Sequence, residues 1–208
     1  MTLAAVRAKT SGAAGPFRLT VEQYHRMIRQ GILREGEPVE LLDGQLERKN
    51  RSAAGEDPMT VSTAHATVVG KVDDLNPRFK RLACHIRIQQ PITLPPYDEP
   101  GPDAAIICGA IGDYTHRHRT AKDVLCVIEV ADSSLRDDRT RKQRTYANGG
   151  IPAYVILNIP DRGVEVYSQP LPGKGRYGRS ITLSAKQRLT FPAPQGKQIN
   201  IPVRRLLP

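Results

Sequence analysis

The sequence predicts an α/β protein in which one mixed β-sheet is flanked by helices. The predicted core follows the order helix, strand, strand, strand, helix, strand, and such an alternation packs as layers around a single sheet. Two of these strands are almost wholly apolar, as strands covered on both faces are. The 208 residues suit one domain, predicted to span residues 18–208 after a flexible head at residues 1–17.

A helix and a β-hairpin are predicted ahead of this core. Thr20 and Gln23 have the spacing of a capping box, and Gly31 suits the position just after the end of the helix. Asp43-Gly44 stands between alternating apolar and polar residues, which is the strongest short signal for a hairpin turn. The polar segment that follows, residues 49–63, is predicted to be a loop.

The helices and strands of the core are predicted from the periodicity of apolar residues, and their ends from proline and glycine. The first core helix is predicted from about Thr63 to a break before Pro77, because the residue before a proline disfavours helical conformation. The last segment carries turn residues at short intervals and is predicted to form β-hairpins that trail over the surface. The predicted strands read LACHIRIQQPITL, PDAAIIC, DVLCVIEVA and IPAYVILNI, and the basic helix before the last of them reads DRTRKQRTYANGG.

Composition narrows the function classes. The net charge of +10 and the pI of about 9.8 favour a polyanion partner, although solubility or a general arginine bias would give the same balance. No apolar stretch reaches the length of about 18 residues that a membrane span needs, and the start lacks the apolar region of a signal peptide. Three cysteines without pairing spacings indicate reduced thiols in a cytoplasmic protein: Cys84, Cys108 and Cys126.

A carboxylate interrupts one of the most apolar strands. Glu129 lies within VLCVIEVA, and a buried carboxylate is costly unless a cation pairs with it. Asp103 begins the preceding strand, so two carboxylates can meet on neighbouring strands, where both stay ionised only beside a cation. Oxygen ligands of this kind suit Mg²⁺ or Mn²⁺. Lys142, placed one turn into the next helix, would orient a water or stabilise a phosphoryl transition state.

Each of these residues also has a structural interpretation. Asp103 alone would be a solvated strand start, and Lys142 alone would belong to the solvated face of a charged helix. Glu129 alone would be a tolerated core carboxylate, and only the joint placement of the three favours a metal site. Asp137 or Asp138 is interpreted as the helix cap, and both are left out of the predicted metal set.

The pattern resembles the PD-(D/E)xK nuclease superfamily and, more narrowly, the Uma2 family (DUF820) of restriction-endonuclease-like proteins. The resemblance covers about three quarters of the chain and follows one order of motifs. It implies a restriction-endonuclease-like core and a Mg²⁺- or Mn²⁺-dependent endonuclease that hydrolyses phosphodiester bonds of DNA. The motifs are LTVEQYHRM, VELLDG, IRIQQPITL, EPGPDAAII, DVLCVIEVADSSLRDDRTRKQRTYANGGIPAYVI and GVEVY.

The resemblance also implies which residues form the site. Asp103 and Glu129 match the metal acids, and Glu40 of VELLDG matches a third acid. The common superfamily lysine would stand two residues after the glutamate, where this chain has Ala131. Uma2-like sequences carry that lysine in the following helix, which makes Lys142 the matching residue here. The catalytic set implied by the resemblance is therefore Asp103, Glu129, Lys142 and Glu40.

Further candidate residues lie outside the catalytic set, and the sequence signal for each of them is less specific. Gln89 of RIQQP matches a family position at the site. His65 lies near the start of a helix that borders the site in this fold, where it would bind phosphate or assist a proton transfer, with packing or capping as the alternative. The basic helix supplies four candidate residues for contacts with the nucleic-acid backbone, namely Arg136, Arg139, Arg141 and Arg144.

The chain departs from the family pattern at three positions outside the metal acids. The family commonly has an acid, a glutamate and a tryptophan where this chain has Gly101, Ala153 and Val155. The intact acid-acid-lysine set favours an endonuclease. The alternatives are a nucleic-acid-binding protein with a nuclease fold but no catalysis and, as a third reading, another phosphate-ester hydrolase. The choice between DNA and RNA stays open, and a homodimer is a state that superfamily members often adopt.

Overall fold

The computed structural model describes residues 15–34, 36–48 and 62–208, so most of the predicted head and of the loop predicted at residues 49–63 lies outside the described residues. The helices are α1 (Val21–Arg29), α2 (Thr63–Asp73), α3 (Asn76–Lys80), α4 (Leu135–Asp137) and α5 (Gln143–Asn148), with a π-helical segment, Asp138–Lys142, joining α4 to α5. Short 3₁₀ turns occur at Ile111–Tyr114, Ala121–Asp123, Pro194–Gly196 and Val203–Arg205.

The strands form one large sheet and two small hairpins. The six-stranded sheet has the order β3-β4-β5-β6-β7-β8, in which only β5 and β6 are parallel to each other. The parallel pair requires a crossover, which α4, the π-helical segment and α5 provide. The predicted fold class is therefore confirmed. The strands are β1 (Val39–Leu42), β2 (Gln45–Arg48), β3 (Cys84–Ile88), β4 (Ala104–Cys108), β5 (Val124–Ala131), β6 (Ala153–Asn158), β7 (Gly163–Leu171), β8 (Arg176–Ser184), β9 (Arg188–Pro192) and β10 (Gln198–Pro202).

Both faces of the central sheet are buried. Ile128 and Val130 of β5 belong to the apolar cluster that also contains buried residues of α2, α3, β9 and β10. Val127 and Ala131, which point to the opposite face, belong to the cluster that contains Tyr146 of α5. Glu129 stands between Val127 and Ala131 at the same parity, so its side chain faces α5.

The N-terminal helix and hairpin form as predicted. Thr20 and Gln23 make both hydrogen bonds of the capping box, and β1 pairs with β2 across the predicted turn. Backbone hydrogen bonds then tie β1 to the segment before β4, because Leu41 and Glu99 each donate to the other's carbonyl oxygen. This contact carries Glu40 to the segment just before β4, where the N–H of Gly101 donates to its carboxylate.

One strand boundary differs from the prediction, and one helix boundary agrees with it. The predicted strand that begins near residue 82 ends at Ile88, because Gln89 has a left-handed backbone conformation (φ 50°) that leaves the sheet. The predicted break before Pro77 is confirmed, since α2 ends at Asp73. Pro77 then lies in the first turn of α3, where a missing N–H costs no helical hydrogen bond.

The prediction that the C-terminal hairpins trail over the surface is wrong. Strands β7 and β8 extend the central sheet, with β8 as its last strand. The β9–β10 hairpin packs into the core through alternate apolar residues, of which Leu189 and Phe191 are fully buried. The reason is the hydrophobic effect, because this period-two apolar pattern buries one whole face of the hairpin.

No helix in the described part of the chain is long and apolar enough to cross a membrane. Cys84, Cys108 and Cys126 are free thiols, as the sequence predicted. Burial raises the pKa of Cys84 to about 11, so this thiol stays protonated at neutral pH.

Candidate active site

Two of the predicted acids meet where β4 begins beside β5. Ala104 pairs with Ile128, and this antiparallel register places Asp103 beside Glu129. The backbone N–H of Asp103 donates to Glu129 Oε2 at 3.3 Å, and the N–H of Val130 donates to Asp103 Oδ2 at 2.9 Å. Glu129 is 1% exposed and Asp103 is 8% exposed, so both carboxylates are largely withdrawn from water.

Lys142 reaches these acids from the crossover helix. Its Nζ lies 3.2 Å from Glu129 Oε2 and 3.4 Å from Asp138 Oδ1. The helix begins at Leu135, so Lys142 lies about two turns into it rather than one, which corrects the predicted position. The wide π-helical segment contains both Asp138 and Lys142 and turns both inward; such segments often occur at functional sites.

The charge of Lys142 is set by its carboxylate neighbours. Burial alone lowers the pKa of an ammonium group, because a charge is poorly solvated in the interior. Here burial is opposed by four carboxylates, and together they hold the pKa of Lys142 well above its usual value. Lys142 is therefore protonated at neutral pH. The carboxylates, in decreasing order of influence, are those of Glu129, Asp138, Glu40 and Asp103.

Asp138 belongs to the site, although the sequence was interpreted to make it a helix cap. It is 1% exposed, and Ser134 Oγ donates to its Oδ2 at 2.6 Å. Burial raises the pKa of Asp138, while Lys142 and the hydrogen bond from Ser134 act in the opposite direction. The cap interpretation is wrong because the helix starts upstream of Asp138, at Leu135.

Tyr146 was also missed. Its hydroxyl group donates to Glu129 Oε1 at 2.7 Å, and burial, with Glu129 next, raises its pKa well above the usual value. Asp138, Lys142 and Tyr146 follow each other at intervals of four residues, which marks one face of a helix. That spacing is the sequence signal that would have found both missed residues.

Glu40 lies beside this cluster without joining a compact ligand set. Its Oε2 accepts the backbone N–H of Gly101 at 2.8 Å, and Glu40 is 6% exposed. Across residues 15–34, 36–48 and 62–208, no three His, Cys, Asp or Glu side chains are placed to hold a metal ion. Each of the three acids that the resemblance implies accepts a hydrogen bond from a backbone N–H, and each acts electrostatically on Lys142.

The two predicted accessory residues both contact Asp103. His65 Nε2 lies 3.1 Å from Asp103 Oδ2, while the side chain that caps α2 is that of Ser62. The backbone N–H of Gln89 donates to the carbonyl oxygen of Asp103 at 3.0 Å. His65 therefore reaches the site through its ring, whereas Gln89 does so through its backbone.

A cavity of about 700 Å³ opens on the Glu40 side of the site, where Glu37 and Glu99 also line it. Glu40 and Gly101 line it on the side of the site, and Gln89 and Gln90 line it on the side of β3. His25 of α1 also lines it. The volume is typical of a pocket that takes a ligand of small-molecule size.

The four arginines of the basic helix are not equivalent. Arg139 forms two hydrogen bonds through Nε and Nη2 to Glu165 Oε1, at 3.0 and 2.5 Å. Arg141 forms an ion pair with Glu47 and donates through Nε to Asp137 at 3.0 Å. Carboxylates therefore neutralise two of the four predicted contacts to nucleic acid. The other two, Arg136 and Arg144, are exposed.

Comparison with known proteins identifies the family of the chain and a similar fold. The sequence model of the Uma2 family, described as "Putative restriction endonuclease", matches residues 21–204. No curated protein matches the chain. The crystal structure of "a putative nuclease belonging to DUF820" from Anabaena variabilis ATCC 29413 is similar, with 12% identity over 90% of this chain and 97% of that chain and a TM-score of 0.59. At this identity the likeness shows a shared fold.

Proposed function

The chain belongs to the Uma2 family, and on that basis we propose that it is a metal-dependent endonuclease that hydrolyses phosphodiester bonds of DNA. The family description and a fold shared with a DUF820 nuclease structure support the nuclease class. The observation that carries the proposal is a single buried lysine, Lys142, among four carboxylates. A structural ion pair would need one carboxylate, whereas a site for a divalent cation needs several.

The charge balance of the cluster fits a divalent cation. Four carboxylates against one ammonium leave a surplus of three negative charges when all are ionised (4 − 1). Such a surplus in a partly dry cleft is unfavourable unless protons or cations offset it. Asp138 Oδ1 is buried, and its cationic neighbour is Lys142 Nζ at 3.4 Å, an ammonium group that Glu129 shares.

The proposed ligands of Mg²⁺ or Mn²⁺ are Asp103 and Glu129, with Glu40 as the third acid. A set of two carboxylates completed by water and substrate oxygens is the arrangement that Mg²⁺ usually adopts, so a compact three-acid cage is not required. When bound, the ion would stabilise charge that develops on the phosphate and favour ionisation of a bound water.

The protein's own groups define what else the site does. Because its raised pKa keeps Lys142 protonated, Lys142 acts through charge and hydrogen bonding and not as a general base. It orients the attacking water or stabilises a phosphate oxygen. Tyr146 and the N–H of Val130 hold the two carboxylates in fixed positions, which is the preorganisation that such a site requires.

The direct test is cleavage by the purified protein. We expect it to cut supercoiled plasmid or single-stranded DNA in Mg²⁺ or Mn²⁺ and to leave both intact in EDTA. An RNA strand of the same sequence tests the choice of nucleic acid. A folded protein that binds nucleic acid but cuts no substrate with either ion would instead establish the alternative, a nucleic-acid-binding protein with this fold.

Binding to DNA is expected to weaken steeply with salt. Six phosphate contacts would give a slope of about −5 for the logarithm of affinity against the logarithm of salt concentration. Arg136→Gln should reduce the steepness by about 0.9, since this arginine is exposed. Arg139→Gln is the matched control and should change the slope less, because Glu165 already neutralises Arg139. Titrations of one duplex at several salt concentrations measure the slope for each variant. A larger change of slope in Arg139→Gln than in Arg136→Gln would contradict the role given to Arg136.

The proposal places the protein in the cytoplasm, with DNA as partner and a homodimer as the assembly to test. Three free thiols support a reducing compartment.

A further inference from the structure

A second group of polar side chains lies near the first strand of the central sheet, apart from the acids. His85 and Arg87 alternate with apolar residues of β3 that pack on the opposite face, so both point to the face that α5 covers. Arg119 comes from the loop before β5, and its carbonyl oxygen accepts the N–H of Thr93 at 2.9 Å. The guanidinium group of Arg119 lies over the ring of Tyr114, 4.5 Å from its centre.

In the described part of the chain, no carboxylate forms an ion pair with Arg87 or Arg119. The side chain of Arg87 instead donates to the amide oxygen of Gln90 at 3.2 Å. Asp123, the carboxylate that acts on Arg119 electrostatically, is already held by two hydrogen bonds from Arg117, at 2.7 and 2.8 Å. The two guanidinium charges are therefore not offset locally.

Two buried polar atoms of this group have no hydrogen-bond partner among the described residues. They are Arg119 Nε and His85 Nε2, and His85 itself is 1% exposed. His85 Nδ1 is bound to the carbonyl oxygen of Gly109 at 2.8 Å, so it carries a proton. Unsatisfied buried groups are rare in folded proteins and often mark a bound water or ion.

The positive charges of Arg87 and Arg119 repel each other and disfavour protonation of His85. Burial, followed by the charge of Arg119, lowers the pKa of Arg87 to about 10. Burial also lowers the pKa of His85, and the charges of Arg119 and Arg87 act in the same direction. An anion would relieve both effects, because it would offset the guanidinium charges and satisfy the free N–H of Arg119.

Arg87 lies close to Asp103 along the central sheet. Arg87 pairs with Ala105, which is two residues from Asp103 and therefore about 7 Å along β4. Its hydrogen-bond partner Gln90 lines the cavity of about 700 Å³, as does His118, the residue before Arg119. The same cavity is lined by Glu40 of the acidic site, and Glu37 and Glu99 line it as well.

We infer that Arg87 and Arg119 form a phosphate-binding subsite for a single nucleic-acid strand whose neighbouring phosphate lies at the Asp103–Glu129 site. The inference rests on the proposed function and adds the path of the substrate. The backbone offset of about 7 Å along β4 is on the scale of two stacked nucleotides, each of which advances about 3.4 Å along a helix axis.

The cavity on the Glu40 side of the site favours an unpaired strand over a duplex. Of its three carboxylates, Glu99 is in contact with His25 at 2.9 Å. Its volume suits one or two nucleotides, and a double helix does not fit into a pocket of that size. The exposed ring of His118 packs on that of His25, with ring centres 4.8 Å apart. An exposed aromatic ring beside a basic group is the arrangement on which proteins stack the bases of single strands.

The test measures binding without cleavage. Fluorescent single strands and the matching duplex are titrated in EDTA against wild type, Arg87→Gln, Arg119→Gln and the control Arg176→Gln, an exposed arginine of β8 at the opposite edge of the sheet. We expect Arg87→Gln and Arg119→Gln each to weaken single-strand binding about tenfold and to reduce the salt slope by about 0.7. Duplex binding and the Arg176→Gln variant should change far less.

Two further measurements distinguish a terminal phosphate from a backbone phosphate and test whether the variants are folded. A preference for a 5′-phosphate end that Arg87→Gln abolishes would assign the subsite to a terminal phosphate; equal affinity for 5′-phosphate and 5′-hydroxyl strands would assign it to the backbone. Arg87→Lys, which keeps the charge, should restore part of the affinity. Unchanged single-strand binding in both glutamine variants would overturn the inference and leave only a bound water. Because the readout is binding in EDTA, that failure is separate from a failure to cleave.

Discussion

Glu129→Gln is expected to lower metal-dependent cleavage by at least about 10³-fold while the protein stays folded. The substitution removes the charge at the centre of the cluster and keeps the shape of the side chain. Tyr146 can still donate to an amide oxygen at the position of Glu129 Oε1, and Lys142 keeps Asp138 as a partner. The loss should therefore fall on cation binding and catalysis and not on the fold.

Two measurements test this expectation. Cleavage of plasmid DNA is followed in Mg²⁺ and in Mn²⁺, and thermal melts are recorded with and without each ion. A ligand at about 100 times its Kd stabilises the folded state by about 2.7 kcal/mol, so wild type should gain that much and Glu129→Gln much less.

Glu165→Gln is the matched control, because Glu165 is another buried carboxylate of the same sheet and pairs with Arg139 outside the cluster. It should keep the cleavage rate at saturating DNA and the stabilisation by metal. If Glu129→Gln cuts DNA as fast as wild type, or gains equal stability from metal, Glu129 is a tolerated core carboxylate and the nuclease proposal loses its central residue.

Lys142→Met is expected to lower the free energy of unfolding by about 3–5 kcal/mol at pH 8 and to abolish cleavage. The reason is that breaking a buried ion pair leaves its partner uncompensated. Glu129 and Asp138 would remain buried without the ammonium that lies 3.2 and 3.4 Å from them. Methionine has a similar length, so the packing loss is small by comparison.

The defect of this variant should depend on pH with a definite sign. Burial already raises the pKa of Asp138 in the wild type, and without Lys142 that pKa rises further. A carboxyl group whose folded-state pKa exceeds its unfolded-state pKa binds more protons in the folded state, so stability falls as pH rises. Lys142→Met should therefore be closer to wild type at pH 5 than at pH 8.

Denaturant unfolding at pH 5, 6.5 and 8 measures this, with Lys186→Met as the control at an exposed lysine. The control should lose little stability at any of the three values. Added Mg²⁺ should restore part of the stability of Lys142→Met, since the ion supplies the missing positive charge. A loss that is the same at pH 5 and pH 8 would show that Lys142 contributes by packing alone.

Residues close together in the sequence determined much of the fold. The capping box at Thr20, the turn at Asp43-Gly44 and the apolar strand around Glu129 all depend on side-chain periodicity and turn chemistry within a few residues. Asp103 and Glu129 could be paired because each marks a position on an adjacent core strand. Glu40 was assigned as a third metal acid through the family resemblance, which also supported Lys142, a residue whose position alone is ambiguous.

The tertiary structure alone decided which charges are free and which are paired. Arg139 is neutralised by Glu165, a residue 26 positions away, and Arg141 by Glu47 of the N-terminal hairpin. The cluster of Arg87 and Arg119 likewise joins β3 to a loop of another part of the chain. Ion pairing depends on distances between atoms, and the sequence pattern fixes those distances only within one helix or strand.

The tertiary structure also decided where the C-terminal hairpins and Asp138 lie. The sequence determined that residues 163–202 form strands, but the choice between a surface hairpin and an edge of the sheet depended on which apolar face remained uncovered. Asp138 resembles a helix cap in sequence, and only the start of the helix at Leu135 turns it inward. Local patterns determine the secondary structure, whereas burial is decided by competition among all apolar surfaces of the chain.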